Sequence, residues 1–215
     1  MNCVEKIIEI DNQRLILNNL RVVYWPDQNA IILSDLHIGK TEHFRKHGIP
    51  ISSRVQDKDL ERLSFLISLY DPKMLIVVGD LFHSGHTTEI SLFMNWLKSF
   101  SSLEIHLIKG NHDRIAINDF KLTNVSIYDD RFILNPFEFV HTPDAVNDNF
   151  TISGHLHPGI RIRSRARPGI TLPCFKLTRS HLILPAFSMF TGLAAEKKTK
   201  NNQYFAFTDT SFFEF

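Results

Sequence analysis

Cysteine is scarce in this sequence of 215 residues, and neither Cys3 nor Cys174 stands in a CxxC or Cys/His spacing. A structural zinc site is therefore not predicted, and both residues are interpreted as free thiols. Low-complexity tracts are absent, and so are apolar runs of the roughly 20 residues that cross a bilayer. The first residues lack a basic flank followed by an apolar stretch, so no secretory signal is predicted. The cytoplasm is the expected location.

An excess of charge is also absent, since the formal net charge is only +1, which provides no overall attraction to nucleic acid. The even balance hides one local concentration of positive charge at alternate positions, formed by Arg161, Arg163, Arg165 and Arg167. In an extended segment these side chains would share one face and could follow a phosphate backbone. The alternative is a solvated edge strand whose charge discourages aggregation.

Five short apolar runs each end in Asp, His, Asn or Gly, which is the pattern of a buried strand followed by a functional loop. They begin at Ala30, Met74, Glu104, Pro136 and Phe150. Helical spacing of apolar residues predicts helices over 52–72 and 88–100, the second with Thr88 as its N-cap. A final hairpin is predicted after Gly192. The order of these elements predicts one α/β domain over residues 1–215, with sheets flanked by helices.

Polar residues with metal-binding side chains follow these apolar runs in a fixed order. The blocks are Asp35-x-His37, Gly79-Asp80, Gly110-Asn111-His112-Asp113, His141 and Gly154-His155-x-His157. Strand ends in an α/β sheet meet at one crevice, so these residues are expected to become neighbours. Carboxylates, imidazoles and an amide oxygen suit two divalent ions, with Mn²⁺ expected first and Fe or Zn as alternatives. His141 does not follow a glycine as His155 does, so it could instead contact a metal ligand without binding the metal itself.

The five blocks resemble those of the calcineurin-like metallophosphoesterase superfamily over residues 35 to 157. The resemblance implies a β-sandwich flanked by helices, with a metal site at the C-terminal ends of the strands. It also implies which residues bind each ion: one takes Asp35, His37, Asp80 and His157, and the other takes Asp80, Asn111, His141 and His155. Asp80 then bridges the ions, a metal-activated water is the nucleophile, and His112 is the general acid.

A narrower resemblance covers most of the chain. The stretches SDLHIGKTEHFRKHGIPIS, GDLFHSG, GNHDR, GHLHP and LPAFSMFTG are similar to the bacterial ligase-associated DNA damage response endonuclease family. This implies a phosphodiesterase that acts on DNA, single-stranded or damaged, as an endonuclease or exonuclease linked to repair. It further implies association with an ATP-dependent DNA ligase and a helicase. The alternatives are a hydrolase of small phosphate esters, such as cyclic nucleotides or phosphomonoesters, and a metal-binding scaffold without turnover, which the presence of Asp80 and His112 disfavours.

The chain departs from protein phosphatases of the superfamily at His83 and Ser84, where those enzymes have Asp followed by Arg. Without the Arg, the bidentate partner of a phosphomonoester dianion is missing, which favours a diester substrate. Without the Asp, His112 loses its expected carboxylate partner, and Asp113 is a possible substitute. The candidate substrate contacts are Arg45, Arg54, Arg114, Arg161, Arg163 and Arg165.

Overall fold

The structure, a computed structural model, describes residues 1–52, 54–83, 88–113, 124–143, 149–162 and 169–215. Within these residues two mixed β-sheets pack face to face, and helices cover the outer face of the first sheet. The first sheet follows chain order, antiparallel from β1 to β4 and parallel from β4 to β7. Its strands are β1 Glu5–Ile10, β2 Gln13–Asn18, β3 Val22–Trp25, β4 Ala30–Leu33, β5 Met74–Val78, β6 Glu104–Ile108 and β7 Val125–Tyr128.

The second sheet has the order β14-β11-β12-β13-β10-β9-β8, and β15 joins β12 to β16. Its strands are β8 Arg131–Leu134, β9 Phe137–Val140, β10 Phe150–Ser153, β11 Pro158–Ile162, β12 Ile170–Leu177, β13 His181–Ile183, β14 Ala194–Glu196, β15 Gln203–Phe207 and β16 Phe212–Glu214. The predicted final hairpin is present as β15 and β16, which pair antiparallel. Both faces of β15 are buried, whereas Phe213 and Phe215 at the end of the chain are exposed.

The described helices are α1 Lys40–Lys46, α2 Arg54–Tyr70 and α3 Thr88–Leu97, with short 3₁₀ turns at Pro26–Gln28 and Lys98–Phe100. Apolar spacing correctly predicted α2 and α3. Thr88 is the first described residue of α3, and because residues 84–87 lie outside the described part, its capping role stays a prediction. No helix in the described ranges is both long and apolar enough to span a bilayer.

The central strands β4 and β5 are apolar on both faces because each face contributes to a different core. Ile31 and Leu75 pack with α2 and α3, whereas Ile32 and Ile76 pack between the sheets against residues such as Phe139. This double burial explains why the strands read as continuous apolar runs rather than as alternating ones. The five apolar runs that predicted strands correspond to β4, β5, β6, β9 and β10. The α/β fold class is confirmed, and the polar blocks follow the ends of these five strands.

Candidate metal centre

The backbone turns sharply where the strands end at the site. Five non-glycine residues of the polar blocks adopt positive φ angles: Asp35 (58°), His37 (51°), Asp80 (51°), His155 (68°) and His157 (46°). Residues with a Cβ atom seldom occupy this left-handed region, and such conformations cluster at functional sites. The turns after β4, β5 and β10 therefore hold side chains in positions that an ordinary strand end would not provide.

The first group of candidate ligands is Asp35, His37 and His157, whose ligand atoms all lie within 4.8 Å of one another. Oδ1 of Asp35 is 3.1 Å from Nε2 of His157 and 3.9 Å from Nε2 of His37. All three atoms are buried, and none makes a hydrogen bond in the described part of the chain. Buried polar atoms without partners are rare. A cation between them would satisfy all three, so this group fits a divalent metal.

The second group is Asp80, His141 and His155, and its ligand atoms also lie within 4.8 Å of one another. Nε2 of His141 is 3.4 Å from Oδ2 of Asp80, 3.1 Å from Nδ1 of His155 and 3.1 Å from Oδ1 of Asn111. Nδ1 of His141 is 3.1 Å from the Val78 carbonyl, which can only accept, so Nδ1 carries the proton. Nε2 is then the nitrogen that faces the group and that would bind a metal in its deprotonated form.

Backbone hydrogen bonds join the two groups. The amide of His155 donates to Oδ2 of Asp35 over 3.0 Å, although the two residues are assigned to different groups. The amide of His37 likewise donates to the carbonyl of Asp80 over 2.9 Å, and the amide of His112 donates to Oδ1 of Asp80 over the same distance. All seven predicted ligands therefore come together at one end of the sheets. By distance, Asp80 belongs to the second group, and its predicted bridging role stays a prediction.

The ionisation of the site also suits a cation. Burial raises the pKa of Asp35 and Asp80, but the neighbouring histidines lower it more, so that both values lie below the usual range and that of Asp80 is about 2. Burial, reinforced by the charge of Lys40, lowers the pKa of His37 to about 3. Burial alone would lower the pKa of His141, but the Asp80 carboxylate raises it. At neutral pH the group around Asp35 thus combines an ionised carboxylate with a neutral imidazole, which are the states that bind metals.

Two glycines of the polar blocks allow the ligands to approach the backbone. A Cβ atom on Gly110 would lie 2.1 Å from Oδ1 of Asp80. A Cβ atom on Gly154 would lie 2.7 Å from Oδ2 of Asp35, and it would also overlap the hydroxyl of Ser34, which donates to that oxygen. Glycine is needed at both positions because any side chain would displace a ligand.

The imidazole of His112 stacks on that of His83, with ring centroids 4.7 Å apart, and lies 5.3 Å from the ring of His37. Asp113 is directed elsewhere, because its carboxylate accepts the amides of Phe82 and Gly110 over 2.8 and 2.9 Å. Asp113 therefore does not replace the missing phosphatase Asp as the carboxylate partner of His112. The residue at the position of the missing phosphatase Asp is His83, and it stacks on the His112 ring.

Sequence reasoning missed the role of the segment 186–190. The amides of Phe187 and Ser188 donate to the carbonyls of Ser34 and Asp35 over 2.8 and 3.2 Å, so the segment lies directly against the turn that carries the first ligands. It also missed Lys40, which lines a cleft with His37. Burial lowers the pKa of Lys40, and the carboxylates at the site oppose this shift. The signal in the sequence was that Lys40 and residues 186–190 lie in two of the stretches that resemble the endonuclease family, SDLHIGKTEHFRKHGIPIS and LPAFSMFTG.

The candidate substrate arginines have different surroundings. Arg45 on α1 forms an ion pair of 2.8 Å with Glu89, and Arg54 is exposed at the start of α2. Arg161 is exposed on β11. This strand is paired on both sides, with β12 and β14, at Gly159–Ile160, whereas among the described residues Arg161 and Ile162 pair with β12 alone. Arg114, Arg163, Arg165 and Arg167, together with Ser84, lie outside the described residues.

A groove of about 720 Å³ opens beside the second group. Asn111, His141 and His155 line it, and so do Lys109 and Arg131. Both cations are paired, Lys109 with Asp129 over 2.5 Å and Arg131 with Glu138 over 3.4 Å. The metal centre is therefore accessible from the surface through a wide groove.

Comparison with known proteins points to one family. The sequence pattern of the calcineurin-like phosphoesterase family matches residues 29–171. No curated protein matches the chain. Among solved structures, the chain is similar to the nuclease MPE of Pseudomonas putida, with a TM-score of 0.82 and 29% identity over 94% of this chain and 96% of that chain. It also matches Yfce, a phosphoesterase from E. coli, with a TM-score of 0.45 and 15% identity over 86% of this chain and 97% of that chain.

Proposed function

Since this chain belongs to the calcineurin-like phosphoesterase family, and is therefore a metal-dependent phosphoesterase, we propose that it cleaves phosphodiester bonds in DNA. The observation that carries the proposal is the pair of neighbouring Asp/His groups, the second of which borders a wide surface groove. An enclosed pocket would favour a small ester, whereas a groove admits a polymer. The similarity to a nuclease over nearly the whole chain supports the same substrate class.

The residues that would hold the metals are those of the two groups, joined by Asn111. Two divalent ions bound there would supply a water of lowered pKa and positive charge for the phosphoryl oxygens. We propose Mn²⁺ as the preferred ion, because four imidazoles and an amide oxygen are poor ligands for Mg²⁺ and match Mn²⁺ better. Metal-free protein titrated with each ion tests this preference. Equal activation by Mg²⁺ would contradict it.

His112 is proposed as the general acid. Its ring borders the site, 5.3 Å from the ring of His37, and no role as a ligand is assigned to it. In that role it protonates the oxygen of the leaving alcohol. The stack on His83 would hold the imidazole in place for this role.

Positive side chains around the site are proposed to bind the phosphates that flank the scissile one. Lys40 borders His37, and Arg54 and Arg161 are exposed. Arg45 shares its charge with Glu89, so it would contribute less. Arg114, Arg163 and Arg165 complete the set on sequence grounds. Contacts to several phosphates make affinity fall steeply with salt concentration, which a small ester does not reproduce.

The biological setting is proposed on resemblance alone. It comprises single-stranded or damaged DNA as substrate, work in the cytoplasm, and association in repair with an ATP-dependent DNA ligase and a helicase. The chemistry of the products gives a test, because a ligase joins a 5′-phosphate to a 3′-hydroxyl. End analysis of cleaved oligonucleotides should then show these termini. Exclusive 3′-phosphate products would argue against direct transfer of ends to a ligase.

The experiment that tests the proposed function compares three substrates with Mn²⁺ present: single-stranded DNA, bis-p-nitrophenyl phosphate and p-nitrophenyl phosphate. We expect cleavage of both diesters and weak cleavage of the monoester. Changing both Arg163 and Arg165 to Gln should raise KM for DNA several-fold and flatten its salt dependence by about one to two units of slope. Hydrolysis of small esters without any cleavage of DNA would instead support the hydrolase of small phosphate esters.

A further inference from the structure

Two aromatic rings form an exposed ledge beside the metal centre. Phe44 on α1 and Phe190 after β13 meet edge to face, with ring centroids 5.5 Å apart. Both rings are partly exposed, and neither belongs to the hydrophobic cores of the described residues. Ile49, whose amide donates to the carbonyl of Phe44 over 3.1 Å, is 45% exposed, and Met189, which precedes Phe190, is 58% exposed. We call Phe44 and Phe190 the aromatic ledge.

The aromatic ledge is continuous with the catalytic residues. The ring of Phe44 stacks on that of His83 at 6.5 Å, and His83 stacks on His112 at 4.7 Å. Phe190 lines the same cleft as His37 and Lys40. The ledge is thus one ring away from the proposed general acid, and a cationic side chain borders the same cleft. A nucleotide whose phosphate lay at the metals could extend its base over these rings.

The position of Phe190 is held by a buried network of charged residues. The guanidinium of Arg21 donates to the carbonyls of Ala186 and Ser188 over 2.9 and 3.0 Å. Arg62 donates to the carbonyl of Phe187, and its guanidinium lies 4.2 Å above the ring of that residue. Asp59 pairs with Arg62 over 2.9 Å and accepts the amide of residue 189 over 3.3 Å.

Such a network has an energetic cost, because burial of charged groups is unfavourable unless they are paired and hydrogen-bonded. Burial accordingly lowers the pKa of Arg21 to about 10. The network fixes a short segment that also hydrogen-bonds to the carbonyls of Ser34 and Asp35. The segment therefore holds the ring of Phe190 at a fixed position beside the turn that carries the first metal ligands. This is more constraint than a partly exposed ring needs for packing alone.

We propose that the aromatic ledge stacks the nucleobase of a nucleotide adjacent to the scissile phosphate. This inference rests on the proposed function, since it specifies how single-stranded DNA is held at the same site. Aromatic side chains stack on any base, so the ledge provides affinity with little sequence preference. It also requires an unpaired base, because a base inside a duplex has no free face for these rings. The ledge therefore favours single-stranded over double-stranded DNA.

The test compares Phe44→Leu and Phe190→Leu with the control Phe213→Leu, which removes an exposed ring from β16. The substrates are single-stranded oligonucleotides with all bases present, the same oligonucleotides with one abasic site placed at successive positions, and methyl p-nitrophenyl phosphate. We expect Phe190→Leu to lower the preference for DNA over the methyl ester, as a ratio of kcat/KM, by about tenfold. Phe190→Trp, which keeps an aromatic ring at this position, should retain the wild-type preference for DNA, and so should the control Phe213→Leu.

The abasic oligonucleotides give the more specific result. At one position near the cut, loss of the base should weaken wild-type cleavage by about the same factor as Phe190→Leu, and the two changes together should cause no further loss. Additive losses, or an abasic site without effect at every position, would overturn the stacking while DNA cleavage stands. Failure of the wild type to cut any DNA, with the methyl ester still hydrolysed, would overturn the proposed function itself. Thermal unfolding of each variant shows whether a loss reflects misfolding.

Discussion

Gly79 lies against the imidazole of His141 so closely that a Cβ atom on Gly79 would stand 2.0 Å from Nδ1 of that ring. The glycine also has a φ of 82°, in the region that residues with side chains avoid. It comes directly before Asp80 in the turn after β5. One glycine thus permits both the close approach of a candidate ligand and the turn that presents another.

Gly79→Ala should abolish binding at the second group, because the new methyl group must displace the His141 ring. Gly48→Ala is the matched control: Gly48 has a φ of 80°, but a Cβ atom there meets nothing within 4 Å. Both variants place a side chain in the left-handed region, so both should incur a similar backbone strain of about 1 to 2 kcal/mol. Metal analysis after dialysis should show about one ion fewer only in Gly79→Ala. Equal metal content in the two variants would show that the ring can move without loss of the site.

Asp80→Asn should remove most of the bound metal and nearly all hydrolysis, since an amide cannot supply the charge that two cations require. The exposed carboxylate of Asp27, in the 3₁₀ turn after β3, provides the control Asp27→Asn. Elemental analysis together with turnover of bis-p-nitrophenyl phosphate measures both effects. An Asp80→Asn protein that keeps two ions and full activity would refute the assignment.

His112→Ala should keep its metals while kcat for DNA falls by roughly 10² to 10⁴, the range for loss of a general acid. The loss should be much smaller for p-nitrophenyl esters, because p-nitrophenolate leaves without a proton. A series of aryl esters with leaving groups of different pKa measures the dependence directly. If every ester in the series lost the same factor, His112 would have a role other than proton donation.

Asp113→Ala should destabilise the fold by about 1 to 3 kcal/mol, because buried amides lose their acceptor. The carboxylate accepts from Phe82 and Gly110 over 2.8 and 2.9 Å and from Leu81 over 3.3 Å. Urea unfolding of the metal-free protein measures this without the contribution of bound ions. A change in the leaving-group dependence without loss of stability would instead connect Asp113 to His112.

The two cysteines should differ sharply in reactivity. Cys174 is fully buried, and burial raises the pKa of its thiol to about 12, whereas Cys3 is partly exposed. Only a thiolate reacts with a disulfide reagent, and a thiol with a raised pKa forms thiolate only as the pH approaches that value. At pH 8 the native protein should titrate one thiol, and the unfolded protein two. Two reactive thiols in the native protein would contradict the burial of Cys174.

The strands that carry the site, the order of the polar blocks and the residue types that could bind metals were all predictable from the sequence. Apolar runs such as that from Met74 are local signals, because a strand buried on both faces must be apolar at every position. The convergence of Asp35, Asp80 and His155 followed from the rule that strand ends in such sheets meet at one edge. These features could be predicted because each depends on a short stretch of chain.

The contacts that these and the neighbouring side chains make could not be predicted in this way. The direction of the Asp113 carboxylate, the pairing of Arg45 with Glu89, and the meeting of Phe44 with Phe190 all depend on contacts between segments distant in the chain. The periodicity of the sequence does not predict such contacts, since the local backbone allows a side chain near a turn to face several different neighbours. Packing selects one of them, because burial leaves few positions in which every polar group is paired.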